Sequence, residues 1–137
     1  MGMKQIFSRV EPNKLLHIVL STSENQGRAQ LVDSDQFLQI ATLELKSGED
    51  FSAHKHIWKD LPSNKSIAQE SWVIIKGSVE VTFYDLDNSQ LEKHILNAGD
   101  LSVTLYGGHS YRVLEDTIAI EFKSGPYLGQ ELDKVFL

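Results

Sequence analysis

The feature that most constrains the fold is a succession of short alternating segments, with turn-forming residues about every 8 to 12 positions. In the clearest of them, residues 78–84, apolar side chains at positions 79, 81 and 83 alternate with a second set that faces the other way. We count nine or ten such segments and find no convincing amphipathic helix longer than about two turns. The pattern predicts an all-β protein, and we expect a double-sheet jelly roll, that is, a double-stranded β-helix barrel.

Size and charge limit the class of protein further. With 137 residues and a mass of 15.5 kDa, the chain suits one domain spanning residues 1–137. The net charge of -6 and the lack of a Lys/Arg cluster argue against nucleic-acid binding. No apolar run approaches the roughly 18 residues of a membrane span, and the N-terminus does not read as a signal peptide. We therefore expect no membrane partner and a cytoplasmic location.

The chain has no cysteine, so any metal ligands must come from His, Asp or Glu. Of the five histidines, His17 is interpreted as a structural or exposed strand residue, and His94 as exposed beside a turn. His54 and His56 are two residues apart on a predicted strand, so both imidazoles face the same side. Glu70 opens a later strand, and a Gly-Gly pair precedes His109. A solvent-exposed His-Lys-His would explain the first pair alone, whereas all these features together favour a shared metal pocket.

The spacing of these residues follows a recognisable pattern of glycines. Five residues separate Gly48 from His54, six separate Glu70 from Gly77, and seven separate Gly99 from Gly107. These blocks, which cover roughly residues 38 to 123, resemble the two motif blocks of the cupin superfamily. The resemblance implies a small β-barrel that binds one divalent metal ion inside it. Carried over to this chain, the implied metal ligands are His54, His56, Glu70 and His109.

The sequence departs from the cupin pattern most clearly between its second histidine and its glutamate. Thirteen residues, 57–69, intervene here, where cupins usually have three or four. The second block also carries Leu105 and Val113 where cupins carry a proline and an asparagine. We interpret Ile57 to Gln69 as a long loop beside the site, either a lid or a solvated bulge, and expect it to be the source of specificity.

Three imidazoles and one carboxylate would suit Fe, Mn, Ni, Co or Zn and would leave one or two coordination positions open. The sequence does not distinguish among these metals. Trp72 shares strand parity with Glu70, and Tyr111 with His109, so both aromatics are candidates for the substrate pocket. Core packing is the commoner role of strand aromatics. Arg112 and Lys123 could meet an anionic substrate or could equally face outward, and neither is assigned.

The resemblance implies a metal-binding small cupin that acts on a small polar metabolite, as a sugar-like isomerase or epimerase or as a dioxygenase. The last part of the chain, from Gly107 to Gly129, is similar to that of small single-domain bacterial cupins, some of which act in sugar pathways. Two alternatives stay open: a cupin that binds a small ligand without turnover, and a metal-free sugar isomerase that uses a barrel histidine as base. The resemblance also implies a homodimer, and open sheet edges give a physical reason for pairing.

Overall fold

The computed structural model describes residues 3–8, 10–20, 27–61 and 65–137. Within these ranges the backbone forms fourteen strands and one short helix, α1 (Gln130–Asp133), so the all-β prediction is confirmed. In chain order the strands are β1 (Met3–Phe7), β2 (Leu15–Leu20), β3 (Ala29–Gln30), β4 (Leu38–Leu45), β5 (Asp50–His56), β6 (Trp58–Asp60), β7 (Lys65–Ile67), β8 (Glu70–Lys76), β9 (Ser78–Tyr84), β10 (Gln90–Asn97), β11 (Leu101–Thr104), β12 (Gly108–Val113), β13 (Thr117–Ser124) and β14 (Lys134–Phe136). No helix in the described ranges is long and apolar enough to span a bilayer.

Two five-stranded antiparallel sheets form the body of the protein. Sheet A has the order β10-β9-β12-β5-β14, and sheet B has the order β11-β8-β13-β4-β3. Strands β1 and β2 pair separately, as do β6 and β7. Because strands that are distant in sequence lie side by side, this is the predicted double-sheet jelly roll rather than a simple meander.

The core lies between the two sheets, and the inward faces change character along their length. Along the inward face of β8 a carboxylate is followed by an aromatic and then an aliphatic side chain, namely Glu70, Trp72 and Ile74. Along the inward face of β12 an imidazole begins the same order, namely His109, Tyr111 and Val113. Polar groups are thus gathered at one end of the sandwich and a dry core fills the other. The buried hydrophobic residues of this core cluster are Val79, Val81, Leu96, Tyr111 and Val113 from sheet A, and Ala41, Leu43, Leu45, Trp72, Ile74 and Ala119 from sheet B.

Gly77 joins β8 to β9 in a conformation that other residues rarely adopt. Its φ is +91°, and a Cβ at this position would collide with Thr117 and lie 2.5 Å from the carbonyl oxygen of Asp116. Both the backbone conformation and the close approach of a neighbouring chain segment therefore require glycine. This explains physically why a glycine follows Glu70 at this spacing.

The segment Ile57 to Gln69, predicted as a long loop, contains the β6–β7 hairpin instead. Its polar composition suggested a solvated loop, but Lys59 is buried because its ammonium group pairs with Asp133. A charged side chain can be buried when it is paired with an opposite charge, even in a segment whose polar composition predicts exposure to solvent. Residues 62–64 of this segment lie outside the described ranges.

The chain end combines a short helix with a strand. Helix α1 is followed by β14, which pairs with β5 at the edge of sheet A. In this register Lys134 lies opposite His56, and Phe136 lies opposite His54. The tail therefore packs directly against the strand that carries the first two predicted ligands.

Candidate metal centre

The four predicted ligands converge between the two sheets. His54 and His56 project from β5, and His109 on β12 lies opposite His54 in register. Glu70 projects from the start of β8 in sheet B. All four side chains are buried, and one donor atom from each lies within 4.8 Å of the other three. Residues far apart in sequence therefore provide three nitrogen donors and one oxygen donor that could hold a metal ion.

Local hydrogen bonds orient the first of these imidazoles. The Nδ1 atom of His54 lies 2.7 Å from the carbonyl oxygen of Ser52. Since a carbonyl can only accept, Nδ1 carries the proton and Nε2 keeps its lone pair. Burial lowers the pKa of His54, which favours the neutral, metal-binding form.

His109 provides the clearest sign of a missing partner. Its Nδ1 lies 2.7 Å from the hydroxyl oxygen of Thr104, and donation of the Nδ1 proton to that hydroxyl leaves a lone pair on Nε2. The Nε2 atom is completely buried and has no hydrogen-bond partner among the described residues; it lies 3.7 Å from Oε1 of Glu70. Burial lowers the pKa of His109 to about 4. A neutral imidazole nitrogen that is buried without a hydrogen-bond partner is well suited to bind a metal ion.

His56 lies between two carboxylates. Its Nδ1 is 3.1 Å from Oδ2 of Asp133, and its Nε2 is 2.9 Å from Oε2 of Glu70. Burial would lower the pKa of His56, but the hydrogen bonds and charges of Asp133 and Glu70 outweigh burial and raise it to about 9. Burial likewise opposes ionisation of Glu70, yet the hydrogen bond from His56 and nearby positive charges lower the pKa of that carboxyl to about 2. In metal-free protein a protonated His56 supplies the positive charge that a metal ion would otherwise bring.

Asp133 and two lysines surround the ligands with a network of buried charges. Lys59 donates to the carbonyl oxygen of Pro126 at 3.0 Å and to Oδ1 of Asp133 at 3.3 Å. Lys123 lies 3.5 Å from Oδ2 of Asp133 and 3.8 Å from Oε2 of Glu70. Asp133 is thus shared by two ammonium groups and by the outer nitrogen of His56, an arrangement that commonly orients metal-binding histidines.

Neither Asp133 nor Lys59 is predicted from the sequence as part of the site. Asp133 is 77 positions away from His56 and lies in a polar tail with no motif of its own, while Lys59 lies in a segment that read as a loop. The sequence leaves the direction of Lys123 open. In the structure its side chain faces inward, because Lys123 lies opposite Glu70 in the β13–β8 pairing. Arg112 is exposed on the outer face, 3.8 Å from Asp50. Only the pairing of strands that are distant in sequence shows that Lys123 faces the site and that Arg112 does not.

A cavity of about 560 Å³ opens beside the donors, and His54 and Glu70 form part of its wall. Trp72 and Tyr111, the predicted pocket aromatics, also line it. Their rings are stacked with centroids 3.9 Å apart, and both side chains are almost fully buried. They therefore belong to the core and form the cavity floor at once, and contact of either ring with a substrate stays a prediction.

Trp72 also connects two carboxylates at the cavity wall. Its indole Nε1 lies 2.9 Å from Oε1 of Glu70 and 3.1 Å from Oε2 of Glu121, and it can donate to both. Burial and the negative charge of Glu70 raise the pKa of Glu121. The described residues of the segment 57–69 do not line this cavity, so their contribution to the site is the buried charge of Lys59.

The other two histidines lie away from the site. His94 is exposed, as predicted, with its Nε2 2.8 Å from Oε2 of Glu92. The backbone of His17 pairs with Ile6 on β1, and the side chain of His17 lies outside the described part of the structure.

Comparisons with known proteins identify the fold. No protein-family model matches the sequence, and no curated protein matches it significantly. An uncharacterised protein with a double-stranded β-helix domain from Klebsiella pneumoniae superposes with a TM-score of 0.61 at 13% identity, over 96% of both chains. KdgF from Halomonas gives a TM-score of 0.55 at 21% identity, over 77% of this chain and 82% of that one.

Oxalate decarboxylase from Bacillus subtilis gives a TM-score of 0.56 at 22% identity, over 75% of this chain. The present chain spans only 24% of the length of that enzyme. At such identities the likeness concerns architecture alone, since proteins of one fold carry out many different reactions. Together with the sheet order and the glycine spacing, it shows that this chain has the cupin fold, a double-stranded β-helix.

Proposed function

We propose that this protein is a metal-dependent enzyme that acts on a small polar metabolite, with one divalent transition metal ion held by His54, His56, Glu70 and His109. The observation that carries the proposal is the buried Nε2 atom of His109, which has no hydrogen-bond partner among the described residues. It points to the place where donors from the other three side chains meet. An unsatisfied buried polar atom costs about 1–3 kcal/mol, and a bound cation would remove that cost.

The donor set suits Fe, Mn, Ni, Co or Zn. A bound ion of this kind would act as a Lewis acid on a substrate oxygen. Among the donors, His54 and Glu70 line the cavity, so a substrate in the cavity would meet the site from their side. The indole N–H of Trp72 holds Oε1 of Glu70 in place there.

Glu121 favours an isomerase or epimerase over a dioxygenase within this proposal. Its carboxyl group lines the cavity, and burial raises its pKa. A carboxyl group whose pKa is shifted toward the working pH can both accept and donate a proton. Moving a proton from one carbon or oxygen of the substrate to another is the step that such a group would perform.

A metal-free isomerase is the second candidate, because the neutral Nε2 of His54 lies at the cavity wall and could act as the base. Elemental analysis of untagged protein separates the two. We expect about one transition metal ion per chain after reconstitution; a metal content near zero would select the metal-free reaction.

Substitution of the ligands tests the site itself. His54→Ala and His109→Ala should each lose bound metal, whereas the exposed control His94→Ala should keep it. Full stoichiometric metal in both ligand variants would contradict the proposal.

The reaction class can be tested before the substrate is known in detail. Incubation of the loaded protein with a panel of sugar-like metabolites in D₂O should give solvent deuterium incorporation at one substrate carbon, seen by NMR, and Glu121→Gln should slow it. Oxygen consumption without deuterium incorporation would favour a dioxygenase. Tight binding with neither signal would favour a module that binds its ligand without turnover.

A further inference from the structure

Two of the cations that line the cavity beside the donors have no ion-pair partner among the described residues. Arg28, Lys123 and Lys134 all line it. Lys123 is engaged by Glu70, Glu121 and Asp133. Arg28 and Lys134, by contrast, form no ion pair with any carboxylate of the described residues; each instead lies near an aromatic ring.

The three carboxylates of the cavity lining form no ion pair with these two cations. Glu70 is engaged by His56 and Lys123, and Glu121 accepts a hydrogen bond from Trp72. Asp33 is the remaining lining carboxylate without an ion pair within the described ranges. The protein as a whole has a net charge of -6. Three cations and three carboxylates thus line the cavity, but two of the carboxylates are engaged elsewhere, so Arg28 and Lys134 stay available to attract an anion.

Each of the two cations lies near an aromatic ring. Lys134 lies opposite His56 in the β14–β5 pairing, which directs its side chain to the same face as that imidazole. Its Nζ lies 5.9 Å from the ring centroid of Phe136. The guanidinium of Arg28 lies 5.8 Å from the ring centroid of Phe51, another cavity residue. A guanidinium stacked on a ring keeps its N–H groups free for a carboxylate or phosphate.

We infer that Arg28 and Lys134 form an anion subsite, and that the substrate carries a carboxylate or phosphate group bound there while its polar remainder faces His54 and Glu70. This inference rests on the proposed function, because it takes the cavity to be the substrate site. The cavity volume of about 560 Å³ suits a metabolite of the size of a single sugar ring.

Matched probes test the subsite directly. D-Glucose, D-glucuronate and D-glucose 6-phosphate share a ring and differ in charge, and their binding can be measured by titration calorimetry or NMR. We expect at least one charged probe to bind about tenfold or more tightly than glucose, with the preference weakened by salt. The charged probe that wins identifies the anion as a carboxylate or a phosphate.

Variants then assign the preference to these residues. Lys134→Met and Arg28→Gln should each reduce the charge preference by about tenfold. Lys55→Met, on the same pair of strands with its Nζ on Asn88, and Arg112→Gln, on the outer face, should leave it unchanged. Lys134→Arg should restore most of it. Circular dichroism of each variant checks that the fold is retained.

The outcome is separable from that of the metal proposal. All titrations are run on metal-loaded and on chelator-treated protein, whose metal contents are measured independently. A charge preference in protein that takes up no metal on loading would support the subsite and contradict the metal centre. Bound metal with glucose and the charged probes binding equally, or with no probe binding at all, would overturn the subsite.

Discussion

At the scale of single residues, His56 shows how the site can exist with or without a cation. Its two nitrogens contact two carboxylates, Glu70 and Asp133. A neutral imidazole has a single N–H, so donation to both carboxylates requires a second proton and its positive charge. A proton on His56 supplies that charge in metal-free protein, and a metal ion would replace the proton. The motif spacing of His56 was readable in the sequence, whereas its pairing with Asp133 was not, since nothing local connects residues 56 and 133.

The stability of metal-free protein should therefore depend on pH. The pKa of His56 rises from 6.5 to about 9 on folding, so its protonated form stabilises the fold fully below pH 6.5 and loses this effect as the pH rises through 9. We expect the melting temperature of chelator-treated protein to fall across this range, as measured by calorimetry. The fall should be smaller in His56→Gln and in metal-loaded protein. An unchanged slope in His56→Gln would show that another group is responsible.

Asp133 should act as a positioning residue for His56. Asp133→Asn removes the charge that holds the Nδ1 proton of His56, and we expect metal affinity to fall by roughly 10- to 100-fold. Affinity is measured by competition with a chromophoric chelator. Glu131→Gln, an exposed change on the same helix, is the control.

A stability measurement accompanies this prediction, because Asp133→Asn also leaves Lys59 and Lys123 without their shared carboxylate. Urea denaturation should show a loss of stability that the control lacks. Wild-type affinity in a folded Asp133→Asn variant would contradict the positioning role.

At the scale of elements, the strands alternate as predicted, and the turns between them depend on glycine. Gly77 and Gly99 have nearly the same φ, +91° and +92°. The space around them differs: a Cβ on Gly77 would collide with the segment at Thr117, whereas a Cβ on Gly99 would have no atom within 4 Å. Sequence spacing identified both as motif glycines, but only the approach of β13 distinguishes their packing.

Alanine substitutions should separate conformational strain from steric conflict. Gly99→Ala should cost about 1–2 kcal/mol through its positive φ alone. Gly77→Ala should cost about 1–3 kcal/mol more, because Thr117 and the β13 backbone must shift. Urea denaturation of both variants measures the difference. Equal losses would mean that the contact with Thr117 relaxes freely.

At the scale of the whole molecule, β11 is an edge strand of sheet B and pairs only with β8 among the described residues. Leu101 and Val103 on this strand are more than half exposed, so backbone groups and apolar side chains are presented together. Open edges of this kind favour pairing with another strand. The predicted homodimer would cover such an edge.

We expect sedimentation at micromolar concentration to give about twice the chain mass of 15.5 kDa. Val103→Glu should shift the protein toward the monomer, because a charge would be buried in the paired edge. Leu91→Glu, on the edge strand β10 of sheet A, is the matched control. A wild-type particle that stays at the mass of one chain would contradict the dimer, and dissociation by Leu91→Glu alone would move the interface to β10.

Local regularities in the sequence predicted most of the strands and the glycine turns, because alternation and turn preference act over a few residues. The resemblance of the motif spacing to that of cupins implied the four candidate ligand positions. The tertiary structure alone decided that residues 57–69 contain a hairpin, that the C-terminal strand joins β5, and that Asp133, Lys59 and Lys123 surround the ligands. It also decided which cations face the cavity. Each of these depends on strand pairing across dozens of residues and on whether a buried charge finds its partner, and neither condition leaves a mark on the neighbouring sequence.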